Sequence, residues 1–246
     1  MGRAKQAGAQ KSARTRDVQF DESDKRSGKS GQGPRWPDLS AKANLSPVLH
    51  KDWQLFTVPG YLTRGECIAF IEQAHVLGFK HVSSKGPEAG EAFRDNESAS
   101  TVDPALAQRL WDGGLASIFE RQVPAVGGRR AVGLDPHIRF YCYNPGQRFD
   151  KHIDVSIPHG RGKRTEYTLL VYLSGGPASA TKGLPPLEGG ETAFYDEQDN
   201  IVAEIAPRAG TALLHIHGNR CMGHEARAVT AGTKFVLRSD VVFSES

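Results

Sequence analysis

In the stretch QRFDKHIDVS, residues 147–156, His152 and Asp154 stand two apart. A β-strand sends residues i and i+2 to the same face, so an imidazole nitrogen and a carboxylate oxygen would lie side by side. First-row transition metals accept that donor combination. Alone the pair says little, because His-x-Asp also recurs by chance among solvated residues at strand ends, and a third donor is needed. The segment HIHGNRCMGHEARAV, residues 215–229, offers candidates. His215 and His217 form a second i, i+2 pair, readable as ligands or as core or rim histidines. His224 follows them after a short glycine-containing loop.

Ten residues past His224 comes KFVLRSD, an apolar run interrupted by Lys234 and Arg238. On a strand these two share a face with Val236, so if Val236 points inward the cations do as well. A buried cation is costly unless an anion meets it. The sequence shows no obvious internal carboxylate, so a ligand that brings its own is expected.

Elements must hold these side chains in place. YLTRGECIAFIEQAHVLGF predicts a helix: Thr63 and Glu66 make a capping box, Ile68, Ile71 and Ala74 or His75 follow at helical spacing, and Gly78 ends it. A second helix is predicted from Asp103 as N-cap, with Pro104 in its first turn and Leu106, Leu110 and Trp111 on one side. Residues 80–102 show no clear period and read as loop with short strands. From Pro136 the texture changes to short β-branched and aromatic runs separated by Gly, Pro and Asn/Asp clusters. These are HIRFYCY, RFDKHID, EYTLLVYLS, GETAFYD, IVAEIAP, TALLHIHG, HEARAV and KFVLRSDVVF. Such a series without intervening helices predicts an all-β sandwich or barrel of the jelly-roll kind, with the helices outside.

The first 45 residues hold ten Lys/Arg against five Asp/Glu and almost no aliphatic side chains. So little apolar surface cannot offset the entropy of ordering. The expected organisation is therefore a disordered basic tail over 1–48, a helical support region over 49–135 and the barrel over 136–246. The positive charge sits in the tail, which reads as solvated, with a nucleic-acid or targeting role as the alternative. No stretch has the length and apolarity of a membrane span or of a secretory signal. Three widely spaced cysteines, Cys67, Cys142 and Cys221, do not suggest a disulfide framework or a cysteine zinc site. A cytoplasmic or nuclear setting is expected.

Taken in order, these segments resemble the 2-oxoglutarate- and Fe(II)-dependent dioxygenases of the prolyl 4-hydroxylase-like family. The carriers of the resemblance are His152, Asp154, His224 and Lys234, in the family's order and spacing. Supporting them are YNPGQRFDKHID with Tyr143, LLVYLS with Tyr172, GGETAFY with Gly189, Gly190 and Thr192, and PRAGTALLHIHG before the distal histidine. The resemblance implies a double-stranded β-helix with Fe(II) on His152, Asp154 and His224, three positions of the ion staying open. It implies that 2-oxoglutarate takes two of them, its far carboxylate meeting Lys234, with Tyr143, Thr192 and Tyr172 nearby and Arg238 as alternative or additional partner. It further implies hydroxylation of an unactivated C–H, with succinate and CO2 as co-products and ascorbate as reductant. A peptidyl substrate is expected first, a small molecule or nucleic acid being alternatives. His215 and His217 stand where many relatives have an aromatic or apolar residue. A competing reading is a cupin-like protein holding zinc or another metal on His215, His217 and His224, without 2-oxoglutarate. That reading leaves Asp154 and Lys234 unexplained.

Overall fold

The computed structural model describes residues 33–42, 44–176 and 186–245. Helix α1 (Arg64–Leu77) begins at the expected capping box: Thr63 Oγ1 accepts from the Glu66 N–H while the Glu66 carboxylate accepts from the Thr63 N–H. It ends at Gly78, whose N–H donates to the Ala74 and His75 carbonyls from a left-handed φ of 84°. Its inward face is Cys67, Phe70, Ile71 and Ala74, rotated slightly from the face expected around Ile68. Helix α2 (Pro104–Leu110) is capped by Asp103 and continues through a wider turn, Trp111–Leu115, into α3 (Ala116–Arg121).

Among the described residues, five strands precede Pro136: β1 (Val48–Lys51), β2 (Leu55–Val58), β3 (Lys80–Ser83), β4 (Arg94–Val102) and β5 (Arg129–Leu134). Then come β6 (His137–Tyr143), β7 (Arg148–His152), β8 (Lys163–Tyr172), β9 (Glu188–Gly189) and β10 (Thr192–Tyr195). The series closes with β11 (Ile201–Ile205), β12 (Ala212–Ile216), β13 (Gly223–Ala226), β14 (Val229–Ala231) and β15 (Lys234–Glu245). All eight expected runs form strands. Thirteen of the strands join in one antiparallel sheet ordered β1-β2-β12-β8-β15-β6-β4-β7-β13-β10-β11, with β3 beside β4 and β5 beside β15. Curled on itself, this sheet is the jelly-roll core.

Period-two alternation assigns the two faces of the curled sheet. On β8, Tyr167, Leu169 and Val171 join the core beneath the helices, whereas Leu170 and Tyr172 face the barrel interior. On β15, Phe235 and Leu237 go to the helices and Val236 goes inside. Lys234 and Arg238 share the parity of Val236 and are buried with it, 2% and 5% exposed.

The span 49–135 is more than helical support, because β1 to β5 belong to the barrel's own sheet. The nine-residue β4 was invisible to periodicity: RDNESASTV has one large aliphatic residue, and its pairing with β3, β6 and β7 imposes the strand. The tail expected over 1–48 also needs correction, since its described part is packed. Trp36 stacks on Phe140, centroids 5.4 Å apart, and donates from Nε1 to Asp103 Oδ2 at 2.9 Å. Lys42 pairs with Glu66 at 2.7 Å. Leu45 lies so close over Gly114 that a Cβ there would sit 2.4 Å from Leu45 Cδ1. One indole and one leucine supply the anchoring that an aliphatic count overlooks. The remainder of the expected tail, residues 1–32, lies outside the described residues. Removing residues 1–45 is accordingly expected to cost at least about 3 kcal/mol of stability, the usual scale for losing a packed tryptophan. A urea midpoint equal to that of the full chain would refute this docking. Among the described residues, no helix is long and apolar enough to cross a membrane.

Candidate metal centre

His152 is the last residue of β7, and β13 lies beside that strand with His224 as its register partner. Strand pairing thus brings together two histidines far apart in sequence, their ring centroids 4.3 Å from one another. Asp154, just past the end of β7, completes the group. His152 Nε2 lies 4.0 Å from Asp154 Oδ1, and His224 Nε2 lies 3.8 Å from Asp154 Oδ2. One donor atom from each of the three falls within 4.8 Å of the others, and all three side chains are buried.

Both imidazoles are oriented for metal binding. His152 Nδ1 lies 2.8 Å from the Asp150 carbonyl and His224 Nδ1 lies 3.0 Å from the Met222 carbonyl. A carbonyl only accepts, so each Nδ1 carries the proton and each Nε2 keeps its lone pair for the centre. Burial, followed by the neighbouring His224, pushes His152 down to about 3, so it is neutral at ordinary pH. Burial alone would push the Asp154 carboxyl up. Arg238 first, and then the imidazoles of His224, His215 and His152, outweigh burial and hold it well below the usual carboxylate range. Two neutral imidazoles and one carboxylate facing one point fit a divalent first-row cation such as Fe(II).

The second carboxylate oxygen is held by protein. Thr168 donates its hydroxyl to Asp154 Oδ2, and Arg238 Nη2 lies 3.2 Å from the same atom. With its single proton given to Asp154, Thr168 Oγ1 must accept from His217 Nε2, 2.7 Å away. His217 is therefore turned to Thr168 and lies 3.9 Å from Asp240 Oδ1. The alternative trio of His215, His217 and His224 does not converge: the rings of His215 and His217 are 6.3 Å apart and His217 spends its Nε2 elsewhere. His215 does face the centre, its Nε2 3.6 Å from Asp154 Oδ2, and with Cys221 and His224 it forms a second set of converging donors.

Deeper in the barrel, Lys234 Nζ donates to the Gly190 carbonyl at 2.6 Å and lies 5.4 and 5.6 Å from the ring centres of Tyr143 and Tyr172. Gly190 is required here: its φ is +71°, and a Cβ would come within 3.1 Å of Lys234 Cδ. The Tyr172 hydroxyl and Thr192 Oγ1 are 2.7 Å apart. Burial pushes Lys234 down to about 7, with Glu191 acting weakly the other way. Lys234, Tyr143, Thr192 and Arg238 line one cavity with the three candidate ligands. Arg238 is placed differently from Lys234, because its charge is met inside the protein by Asp154 and, at 3.6 Å, by Asp240. Asp240 also pairs with Arg139 at 2.6 Å.

Sequence reasoning did not single out Thr168 or Asp240. Thr168 shares a strand face with Tyr172, and Asp240 shares one with Lys234 and Arg238, so the period-two rule would have found both.

Residues 138–239 match the 2OG-Fe(II) oxygenase superfamily. This barrel is a 2OG-Fe(II) oxygenase domain. The oxygenase family to which it is assigned uses Fe(II) and 2-oxoglutarate, the two partners that the donor set and the buried lysine suit. Solved structures share the oxygenase fold at low identity. The viral collagen prolyl hydroxylase of Paramecium Bursaria Chlorella virus-1, in its 2OG complex, superposes with a TM-score of 0.53 at 16% identity, covering 78% of this chain and 96% of that one. The prolyl hydroxylase from Trichoplax adhaerens, in complex with a hypoxia inducible factor peptide fragment, gives 0.52 at 16% identity over 76% and 83% of the two chains. A Pseudomonas putida prolyl-4-hydroxylase gives 0.50 at 15% identity over 76% and 91%. No curated protein matches the oxygenase in sequence.

Proposed function

We propose that this 2-oxoglutarate-dependent dioxygenase hydroxylates an unactivated C–H of a peptidyl substrate, releasing succinate and CO2. In this reading His152, Asp154 and His224 hold Fe(II). Lys234 receives the far carboxylate of 2-oxoglutarate, with Tyr143, Tyr172 and Thr192 around it. Bound together, Fe(II), 2-oxoglutarate and O2 supply an oxidant strong enough for an aliphatic C–H. The chain's own residues do the rest. Backbone carbonyls at Asp150 and Met222 fix the imidazole tautomers, Thr168 and Arg238 fix the Asp154 carboxylate, and burial keeps competing reductants away. Ascorbate is the expected reductant for iron that oxidises without turnover.

The observation that carries the reading is the pairing of a buried donor trio with a buried lysine, hydrogen-bonded to the Gly190 carbonyl, in one cavity. A peptide is favoured because an open depression is lined by Ile153, the residue between the two ligands. Its walls include Val155, Arg164, Glu166, Asn219 and Arg220, a mix of apolar, cationic and hydrogen-bonding groups that suits an extended backbone. The prolyl hydroxylases with which the fold superposes, one carrying a peptide fragment, point the same way.

Anaerobic titration of the protein with Fe(II) and then 2-oxoglutarate tests the centre. A weak visible charge-transfer band should grow only when both are present, and admitting air should release succinate. Iron binding without the band, or tight zinc binding with 2-oxoglutarate ignored, would sink the proposal.

A further inference from the structure

His215 has no part in the proposed trio, yet nothing around it takes its hydrogen bonds. It lies on β12 with Thr168 as register partner, is 1% exposed, and neither ring nitrogen has a hydrogen-bond partner. An imidazole, neutral or protonated, carries at least one N–H, and a buried donor without an acceptor is costly. His217, two residues on, shows the ordinary solution, with its Nε2 bonded to Thr168. Cys221 and His224 converge with His215 without answering it. The Cys221 thiol donates to the Met222 carbonyl at 3.4 Å and its sulfur accepts the Asp154 N–H at 3.3 Å. His224 Nδ1 is likewise turned to the Met222 carbonyl.

The place of the ring narrows what can answer it. His215 lines the same cavity as the candidate ligands and Lys234. Its Nε2 lies 3.6 Å from Asp154 Oδ2, too far for a hydrogen bond, and that oxygen already takes the Thr168 hydroxyl and Arg238. Its ring centroid stands 4.3 Å from that of His224, and Phe194 packs edge-on against it at 5.3 Å. At this end of the cavity Thr168 and Arg238 are directed to Asp154, while the imidazole still has an N–H to give. The proposed co-substrate has an acceptor to match. With its far carboxylate on Lys234, its near carboxylate, beside the 2-oxo group, comes to the metal. A carboxylate that gives one oxygen to a metal keeps the other as an acceptor.

Resting on the metal-centre reading above, we infer that His215 is a co-substrate-binding residue. Its ring N–H meets the near carboxylate of 2-oxoglutarate on the oxygen that the metal leaves free. The protein then holds the dicarboxylate at both ends, by Lys234 and by His215, and the metal keeps its three protein ligands. An imidazole in this place also selects for a charged carboxylate beside the 2-oxo group over an uncharged substituent there.

Diamagnetic Zn(II) in place of Fe(II) allows a test without turnover, on the full chain. Ring N–H protons held in hydrogen bonds resonate far downfield and exchange slowly with solvent. Those of His152, His217 and His224 should be visible with Zn(II) alone, and one further signal should appear when 2-oxoglutarate is added. In His215→Phe that further signal should be missing. The variant should bind 2-oxoglutarate at least about tenfold more weakly, the scale of one charge-assisted hydrogen bond, with Zn(II) affinity in its absence unchanged. His215→Gln, which restores an N–H, should recover most of the affinity. Binding of 2-oxoglutarate to the wild-type protein with no further signal, or with equal affinity in His215→Phe, would overturn the inference and leave the trio standing. A wild-type chain that binds no Zn(II), or binds it and ignores 2-oxoglutarate, would bring down the metal-centre reading and this inference together. The wild-type spectrum decides the matter even if both variants fail to fold.

Discussion

Asp154→Ala is expected to abolish iron-dependent succinate release and to lower folding stability by about 3–5 kcal/mol, the scale for removing one partner of a buried ion pair. The two losses share one origin. Asp154 faces the centre with the imidazoles of His152 and His224, and its Oδ2 takes the Thr168 hydroxyl and the Arg238 guanidinium at 3.2 Å. Alanine takes away the carboxylate that meets Arg238 Nη2 and leaves a buried guanidinium with Asp240 3.6 Å from its Nε. The acid limb of the stability profile should change as well. A carboxyl held below its unfolded value adds stability that is complete above the unfolded pKa, about 4, and is lost as pH falls through the folded one. Wild-type stability should therefore drop steeply below about pH 4, and the drop should be shallower in the variant. Urea midpoints across pH, with iron binding measured in parallel, check both halves. Iron-dependent turnover near wild-type level in Asp154→Ala would remove this residue from the centre.

Lys234→Met should weaken 2-oxoglutarate binding by at least about tenfold while making the free protein more stable. A charge-assisted bond to a desolvated carboxylate is worth about 1.5–3 kcal/mol, or roughly ten- to a hundredfold in affinity. In the free protein the same ammonium is a burden, because burial moves it from 10.5 down to about 7. The unfolded chain binds this proton up to about pH 10 and the folded chain only up to about 7. Wild-type stability should thus rise with pH between those values, with the penalty complete below about 7, and methionine should remove the rise. Binding of the dicarboxylate at pH 8 should draw a proton from solvent, visible by calorimetry in buffers of different ionisation enthalpy. The variant should take up none. If Arg238→Ala instead loses 2-oxoglutarate and Lys234→Met keeps it, the anchor is misassigned.

What could be read without coordinates was whatever depends on short-range pattern. Thr63 with Glu66, and Asp103 with Pro104, announced two helix starts because capping is settled within one turn. Each expected strand after Pro136 carried its own run of β-branched and aromatic residues between turn-forming ones. The spacing of His152, Asp154, His224 and Lys234 was equally local to their strands. Features set by distant partners stayed hidden. Arg238 reads in sequence as a cation in search of an anion, and only the meeting of β15 with the end of β7 supplies Asp154, 84 residues away. Trp36 reads as one aromatic in a polar tail until Phe140 and Phe70 are placed beneath it. β4 has almost no apolar signature because its neighbours supply the pairing, with Ser98, Ala99 and Ser100 set against Tyr141, Phe140 and Arg139.

The order of the sheet bears on where this protein can be cut. Its recognisable oxygenase segment starts at residue 138, yet β2 covers one side of β12 and β4 covers one side of β6. A polypeptide starting at Pro136 would retain every proposed iron and 2-oxoglutarate residue but would bare rows of unpaired backbone N–H and C=O groups on β12, β6 and β7, and on the end of β15. Bare rows of that kind recruit strands from other molecules, and the product would be aggregate rather than a smaller enzyme.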